Sequence, residues 1–238
     1  MRLNRLGWFA NKIGVGVGVK SLDRNLTVES SAGNPLIVGI TGGSGSGKTT
    51  FAERLRARFG TNAAVLSHDD YYKNRPDMTA QEAAAYDFDC PEAFDTELLV
   101  KHLRDLKAGR SVAIPSYDFA THTRTDAAHT IEPAPVIIVE GLLIMCDSEL
   151  LDLFDLVVYM DADTDTATRR RIERDCRERG ATLQYALDMY NSTVKPAYEM
   201  YIEPFKHKAD VIVADAMDDQ SLETVVNDIR SIAGHRPV

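Results

Sequence analysis

The stretch that most constrains the fold of this chain is residues 36–50, which read LIVGITGGSGSGKTT. Its apolar beginning at 36–40 predicts a buried strand, and apolar residues at helical spacing predict a helix over 51–59. Between them, residues 42–49 match the phosphate-binding loop pattern without interruption. A strand, a glycine-rich loop and a helix in this order predict an α/β domain that binds a nucleoside triphosphate. The alternative is a flexible glycine-serine loop that matches by accident.

The residue types of this loop follow from the chemistry of phosphate binding. Glycines let backbone N–H groups converge on phosphate oxygens, and the positive end of the following helix adds to the attraction. Lys48 is expected to reach the β- and γ-phosphates, and the Thr49 hydroxyl is expected to bind Mg²⁺. The predicted phosphate-binding residues are Gly42, Gly43, Ser44, Gly45, Ser46, Gly47, Lys48, Thr49 and Thr50.

Length and charge limit the classes of protein that remain. The chain has 238 residues, enough for one sizeable α/β domain, and a net charge of −9 at pH 7. The acidic balance argues against broad binding to nucleic acid or to anionic membranes. The 3 cysteines lack metal-ligand spacing, which favours free thiols in a reducing cytoplasm. We expect residues 1–34 to form a loosely attached extension, with organelle targeting as the alternative, and residues 35–238 to form the domain.

The rest of the chain alternates predicted strands and helices. Strands are predicted at 63–67, 111–115, 136–139, 156–160 and 211–214. Helices are predicted at 78–85, 95–106, from 163 or 164 to about 179, 183–201 with a kink at Pro196, and 221–233. This alternation predicts a parallel, doubly wound sheet.

Carboxylates follow two of the predicted buried strands. Asp69 and Asp70 come after strand 63–67, and Glu140 ends strand 136–139. Open α/β sheets bind their ligands at the carboxyl ends of the strands. One aspartate of the pair could therefore accept a proton from an attacking hydroxyl, although a solvated turn would also favour Asp-Asp. Glu140 is placed to serve a Mg²⁺ site opposite Thr49.

Two later segments have a composition that suits a substrate site. Residues 117–124 mix Tyr, Phe, His and Arg in an apparently loop-like stretch that suits a planar ligand, with a β-hairpin tip as the alternative. The predicted helix after Asp163 is rich in arginine, and helical spacing places Arg170, Arg174 and Arg177 on one face. Ending at Gly180, it could hinge as a lid that clamps a transferring phosphoryl group, and the alternative is a solvated, salt-bridged helix.

These segments together resemble the uridine kinases (uridine–cytidine kinases) of the P-loop nucleoside kinase group. The resemblance covers residues 35–215. Besides the loop, the matching segments are HDDYYK at 68–73, YDFDCPEAFD at 86–95, IPSYDFATHTR at 114–124, VIIVEGLL at 136–143, RRRIERDCRERG at 169–180 and VKPAYEMYIEPFKHKADVIV at 194–213. Seven segments in the family's order are far more specific than the loop alone.

The resemblance implies a fold and an activity. The fold is a P-loop NTPase-type doubly wound parallel sheet with an arginine-rich helical lid and a small β-hairpin at the substrate site. The activity is transfer of the γ-phosphoryl group of ATP or GTP, with Mg²⁺, to the 5′-hydroxyl of uridine or cytidine in pyrimidine salvage. It also implies a homotetramer whose partners are small molecules, with no nucleic acid and no membrane.

The resemblance assigns roles by position. It implies that Asp69 is the general base, and that Lys48, Arg174 and Arg179 act on the phosphates. It implies that Thr49 and Glu140 serve the metal. The substrate residues that it implies are Tyr72, Phe88, Asp89, Tyr117, Phe119, His122 and Arg171.

Three positions depart from the family pattern. Cys90 stands where the family usually has His, Ala181 where it usually has Arg, and Met189 where it usually has Gln. The last two positions lie on the nucleoside side in the family, so the preferred nucleoside stays open. Two other functions stay open as well, namely a kinase of the same fold for another small alcohol or sugar, as in phosphoribulokinases and pantothenate kinases, and a non-catalytic nucleotide-binding regulator.

Overall fold

The computed structural model describes residues 35–79, 82, 86–119 and 121–235. The predicted extension at 1–34 lies outside these residues, and so does most of the helix predicted at 78–85. In chain order the elements are β1 (Leu36–Gly42), α1 (Lys48–Phe59), β2 (Ala63–Ser67), α2 (Thr96–Lys107), β3 (Val112–Asp118), β4 (Thr123–Ile131), β5 (Val136–Glu140), α3 (Ser148–Leu153), β6 (Leu156–Met160), α4 (Thr164–Glu178), α5 (Leu183–Met189), β7 (Val211–Val213) and α6 (Asp219–Gly234).

The predicted parallel sheet is present, with 5 strands in the order β2-β5-β1-β6-β7. Every residue of β1, β5 and β6 is buried. Strands buried on both faces are nearly continuous apolar runs, which is why the sequence pattern located them well. The strands predicted at 63–67 and 156–160 have the bounds of β2 and β6.

Hydrophobic clusters on the two faces of the sheet confirm the doubly wound arrangement. One cluster packs Phe51 and Leu55 of α1 and Val226 of α6 against the sheet. The other packs Leu99 of α2 and Leu150 of α3 against the opposite face. Burying side chains of this size stabilises the fold by about 1.5–3 kcal/mol each, and it fixes the carboxyl ends of the strands at one edge.

Aspartates cap two helices as the sequence predicted. Asp95 accepts a hydrogen bond from the backbone N–H of Leu98 at 3.3 Å and begins α2. Asp163 accepts one from the N–H of Thr166 at 2.9 Å and begins α4. These carboxylates satisfy N–H groups that have no partner within the helix.

Residues 117–124 belong to a β-hairpin, which was the alternative to a loop and which the family resemblance implied. β3 and β4 form an antiparallel hairpin, with Tyr117 and Asp118 at the end of β3 and Arg124 near the start of β4. The strand predicted at 111–115 ended at Pro115, a residue with no N–H for a ladder hydrogen bond. The ladder instead shifts register between Ile114 and Ser116 and then continues.

The helix predicted at 183–201 runs to Ile202 with a different backbone pattern. After α5, π-helical turns at Tyr190–Val194 and Tyr198–Ile202 flank the short α-helical turn Lys195–Ala197. Pro196 lies in that central turn, where its missing N–H removes one backbone hydrogen bond. Separately, none of the helices in the described ranges is long and apolar enough to cross a membrane.

Candidate active site

The sheet brings the loop and the strand-end carboxylates to one place. Ile40 of β1 pairs with Glu140 of β5, which in turn pairs with Ser67 of β2. The phosphate-binding loop follows β1, and the 3-10 turn His68–Tyr71, which carries Asp69, follows β2 directly. These segments therefore leave adjacent strands at the same edge of the sheet, where open α/β sheets bind ligands.

Lys48 is buried at the start of α1. Its Nζ donates a hydrogen bond to the Gly43 carbonyl oxygen at 2.9 Å, which turns the ammonium group back over the loop. Burial lowers the pKa of Lys48, and the negative charges of Glu140 and Asp69 oppose that shift. Thr49 and Thr50 are exposed on the first turn of α1, and only Thr49 has a recorded contact with the other predicted site residues.

We predict that Gly45→Ala will cost more stability than Gly109→Ala and will weaken ATP binding at least tenfold. Both glycines have positive φ angles, +79° and +74°, and forcing an alanine there costs about 1–2 kcal/mol. A Cβ on Gly45 would also overlap the backbone oxygen of Ala167 in α4, whereas a Cβ on Gly109 meets no atom within 4 Å. Urea unfolding and ATP titration of both variants test this, and equal effects of the two would contradict it.

Glu140 lies in a cluster of oxygen atoms that suits Mg²⁺. Its Oε1 accepts hydrogen bonds from Ser67 Oγ at 2.9 Å and from Thr49 Oγ1 at 3.3 Å. Burial raises the pKa of the Glu140 carboxyl, and the charge of Lys48 opposes that shift. In the described part of the chain no group of three or more His, Cys, Asp or Glu residues could hold a metal. A hydroxyl and one carboxylate fit the way Mg²⁺ binds beside nucleotide phosphates, with few protein ligands.

The electrostatic environment distinguishes Asp69 from Asp70. Burial lowers the pKa of Lys48 and raises the pKa values of Tyr72 and Asp89, and the negative charge of Asp69 acts on all three groups. Burial raises the pKa of Asp70, and the charge of His129 opposes that shift. The charge of Asp69 thus acts on groups in both halves of the site.

Aromatic side chains from three segments form the half of the site beyond Asp69. Tyr72 packs against Tyr117 with ring centroids 5.0 Å apart, and its hydroxyl donates to the Phe88 carbonyl oxygen at 3.1 Å. Phe88 stacks on His122 at 4.5 Å, and Tyr72 meets Phe119 edge-on at 5.8 Å. All the aromatic residues predicted for the substrate therefore lie in one cluster.

Helix α4 closes the cluster with charged groups. The Arg171 guanidinium lies 3.8 Å from the Asp89 carboxylate, measured between Nη2 and Oδ2. Burial raises the pKa of Asp89, and the charge of Arg171 opposes the shift. Arg179 lies over the Phe119 ring, 4.9 Å from its centroid, and Arg174 Nη2 donates to Ser44 Oγ in the loop at 3.3 Å.

The predicted arginine face of α4 needs correction. Arg170, Arg177 and Arg179 are exposed, and Arg171 and Arg174 are half-buried. The arginines that contact other residues of the site are Arg171, Arg174 and Arg179. These three converge on Asp175, whose carboxylate oxygens lie 3.3 Å, 3.6 Å and 3.4 Å from their nearest nitrogens. The sequence analysis gave Asp175 no role in the site. Its spacing of four residues from Arg171 and from Arg179 was the signal that could have found it.

His68 is a second residue to which the sequence gave no role. It is 1% exposed and stacks on Phe94 with ring centroids 4.2 Å apart. Its Nε2 lies 3.4 Å from Thr96 Oγ1, and its Cβ lies where a side chain on Gly141 would be. This packing fixes the turn that presents Asp69.

We predict that His68 makes the free energy of unfolding depend on pH. Burial lowers the pKa of His68 from 6.5 to about 3, so the unfolded chain binds a proton below pH 6.5 that the folded chain does not. The stabilisation is therefore complete above pH 6.5 and is lost as the pH falls toward 3. Between about pH 7.5 and about pH 5.5, the free energy of unfolding of the wild type should fall by about 1.4 kcal/mol more than that of His68→Asn. Urea unfolding at the two pH values measures this difference. Equal pH slopes for the two proteins would contradict the assignment.

The three positions that depart from the family pattern lie around the aromatic cluster. The Cys90 thiol donates to the Asp87 carbonyl oxygen at 3.2 Å, and the Ala181 N–H donates to the Asp175 carbonyl oxygen at 3.1 Å. Met189 lines a cavity of about 420 Å³ whose wall includes Tyr86. The departures therefore border the segments that hold Asp89 and Arg171.

Comparisons with known proteins show the family of this chain. A sequence model of the Phosphoribulokinase / Uridine kinase family matches residues 37–222. A uridine kinase of Ligilactobacillus salivarius is 43% identical over 85% of this chain and 96% of its own length. A uridine kinase of Streptococcus thermophilus is 42% identical over 81% of this chain and 92% of its own length.

Solved structures add the fold. One described as that of a possible uridine kinase from Bacillus stearothermophilus has a TM-score of 0.54 and 25% identity, over 78% of this chain and 91% of that one. Phosphoribulokinase from Rhodobacter spheroides has a TM-score of 0.57 and 23% identity, over 79% of this chain and 74% of that one. At this identity the second shows the fold alone.

Proposed function

The chain belongs to the phosphoribulokinase / uridine kinase family, and we propose that it phosphorylates uridine and cytidine on the 5′-hydroxyl in pyrimidine salvage. The donor in this proposal is ATP or GTP. The observation that carries the proposal is the course of the turn His68–Tyr71, which carries Asp69. It begins directly after Ser67, the strand partner of Glu140, and leads into Tyr72, a member of the aromatic cluster. A nucleoside bound in the cluster would present its 5′-hydroxyl toward the phosphates.

The phosphate half positions the donor. Loop N–H groups and Lys48 bind the β- and γ-phosphates, and their positive charge stabilises the transferring group. Thr49 and Glu140 would hold Mg²⁺, which neutralises phosphate charge when bound. Arg174 already contacts Ser44 of the loop, so a γ-phosphate there would lie within its reach.

Asp69 performs the proton transfer. Its carboxylate accepts the proton of the 5′-hydroxyl as that oxygen forms a bond to the γ-phosphorus. The bond between the γ-phosphorus and the β,γ-bridging oxygen breaks, and ADP leaves with the electron pair. A positioned base of this kind contributes about 10²–10⁴-fold in rate.

The aromatic half selects the acceptor. The Asp89 carboxylate accepts hydrogen bonds from the ribose hydroxyls, and Arg171 holds that carboxylate from the other side. Tyr117 and His122 face the pyrimidine edge, while Phe88 and Phe119 line the pocket. A buried carboxylate left without its hydroxyl partners is costly, so the site rejects free bases.

Helix α4 acts as the lid in this proposal. Burial and the neighbouring charge of Arg179 lower the pKa of Arg174, so a bound phosphate would compensate an unfavourable crowding of cations. Asp175 holds Arg171, Arg174 and Arg179 in one group before the donor binds. These three arginines are therefore already arranged when the phosphates bind.

Steady-state phosphoryl transfer with ATP and Mg²⁺ tests the proposal across uridine, cytidine, adenosine and ribulose 5-phosphate. Turnover confined to uridine and cytidine is expected, and it would also show that Ala181 and Met189 are tolerated. Activity on ribulose 5-phosphate or another alcohol, without nucleoside turnover, would overturn the substrate assignment. Binding of ATP with no turnover on any acceptor would favour a regulatory protein.

We further propose a homotetramer in the cytoplasm, which rests on the family resemblance. Light scattering of the purified chain measures the mass directly. A mass of four chains is expected, and a stable monomer at micromolar concentration would overturn it.

A further inference from the structure

Arg124 makes four polar contacts at the start of β4. Its Nε donates to the Tyr72 carbonyl oxygen at 2.9 Å, and its Nη2 lies 3.4 Å from the Tyr71 carbonyl oxygen. The same Nη2 pairs with Asp95 Oδ2 at 3.0 Å. Its backbone N–H donates to Asn74 Oδ1 at 3.1 Å. No role in the site has been given to this residue so far.

The partners of Arg124 belong to the segment that leaves β2. Tyr71 ends the turn that carries Asp69, and Tyr72 is the central ring of the aromatic cluster. Asp95 uses its other carboxylate oxygen to cap α2, and its backbone N–H donates to the Tyr71 carbonyl oxygen at 2.8 Å. One guanidinium therefore joins the hairpin to the Asp69 turn and to the helix start that supports this turn.

The hairpin tip beside Arg124 is under conformational strain. His122 has a φ of +55°, the only positive φ of a non-glycine residue in the described ranges. Such a backbone costs of order 1–3 kcal/mol and persists only where the surroundings fix it. His122 is stacked on Phe88 at 4.5 Å, so the strained residue is also a member of the aromatic cluster. The contacts of Arg124 lie two residues further along the chain.

We propose that Arg124 is a positioning residue that fastens the substrate hairpin to the segment carrying Asp69. The inference rests on the proposed function, because it takes the aromatic cluster as the nucleoside site. Arg124 sets the distance between Tyr117 and His122, which bind the base, and the carboxylate of Asp69, which receives the proton. Arg124 contacts neither substrate in this arrangement.

The geometry requires arginine rather than any cation. Nε and Nη2 are separate donors of one rigid, planar group, and they reach two carbonyl oxygens and a carboxylate in fixed directions. A lysine ammonium keeps the charge and loses this fork. The pair is mostly shielded from solvent, with side-chain exposures of 20% for Arg124 and 31% for Asp95.

The base of the hairpin is held independently of Arg124. Val112 and Ile114 of β3 are buried in the core cluster that also contains Leu99. Loss of the guanidinium should therefore loosen the tip while the domain stays folded. This separation makes the role testable.

The experiment compares Arg124→Lys and Arg124→Gln with Arg110→Gln, an exposed arginine whose partner is Asp105. Both Arg124 variants should raise KM for uridine at least tenfold, with KM for ATP within twofold of wild type. Amide hydrogen exchange over 115–124 should be faster in both variants, without any substrate. Arg110→Gln should match wild type in each measurement.

Each outcome decides between the possibilities. An unchanged KM for uridine, or equal increases in the KM values of uridine and ATP, would overturn the positioning role. Unchanged hydrogen exchange at 115–124 would overturn the attachment itself. If wild type does not phosphorylate uridine, the proposed function fails, while the exchange measurement still tests the attachment. A variant that fails to fold would lose protection over the whole domain, which would overturn the claim that the hairpin base is held independently.

Discussion

Asp69→Asn is expected to lower kcat for uridine phosphorylation by about 10²–10⁴-fold and to leave ATP affinity within about twofold of wild type. The amide keeps the shape of the side chain and cannot take the 5′-hydroxyl proton. In the proposed arrangement Asp69 does not contact ATP. Its negative charge acts only indirectly, on Lys48 and on Arg174. Steady-state kinetics and calorimetric ATP titration measure the two quantities.

Asp70→Asn is the matched control for this prediction. Asp70 is the next residue in the same turn, and the charge of His129 acts on its carboxyl. The control variant should keep kcat within about threefold of wild type. A large loss in Asp70→Asn with a small loss in Asp69→Asn would exchange the two roles. Full activity of both variants would refute general-base catalysis from this turn.

Arg174→Gln is expected to lower kcat by about 10³-fold or more, in the range found when an arginine that stabilises a transferring phosphoryl group is removed. Arg174 is the lid arginine that touches the loop directly, through Ser44 Oγ. The positive charge of Arg174 should matter most in the transition state, in which negative charge spreads over the equatorial oxygens of the γ-phosphoryl group. KM for ATP should therefore change far less than kcat.

Arg177→Gln tests whether any arginine of α4 would give this result. Arg177 lies on the same helix, is exposed, and pairs with Glu178. Removing it should leave kcat and both KM values unchanged within about twofold. If both variants lost activity equally, the arginines would act through their summed positive charge rather than through a specific contact of Arg174. If Arg174→Gln raised KM for ATP alone, Arg174 would bind the donor without stabilising the transition state.

The sequence predicted the sheet well because its strands are buried on both faces. Apolar runs such as 136–139 and 156–160 fit a strand that is buried on both faces of a parallel sheet. The glycine-rich pattern after β1 is likewise specific to a phosphate-binding loop. The hairpin was harder to predict. Most of β4 is exposed and polar, so no apolar period marks it, and Pro115 signalled an end where the ladder only shifts register.

Parts of the candidate site depend on contacts that no local pattern encodes. Arg124 reaches carbonyl oxygens 52 and 53 residues away in the chain, and any residue type could supply those oxygens. The buried environment of His68 is created by Phe94, Thr96 and Gly141, which come from other segments. Asp175 differs, since its helical spacing to the lid arginines was visible in the sequence and was given too little weight.

The most direct test of the central claim uses labelled ATP with two acceptors that differ by one oxygen. With the γ-phosphoryl group labelled and Mg²⁺ present, uridine should yield labelled UMP, and 5′-deoxyuridine should yield no labelled nucleotide. This result would place transfer on the 5′-hydroxyl next to Asp69. Absence of labelled UMP from uridine, or label on 5′-deoxyuridine, would contradict the account.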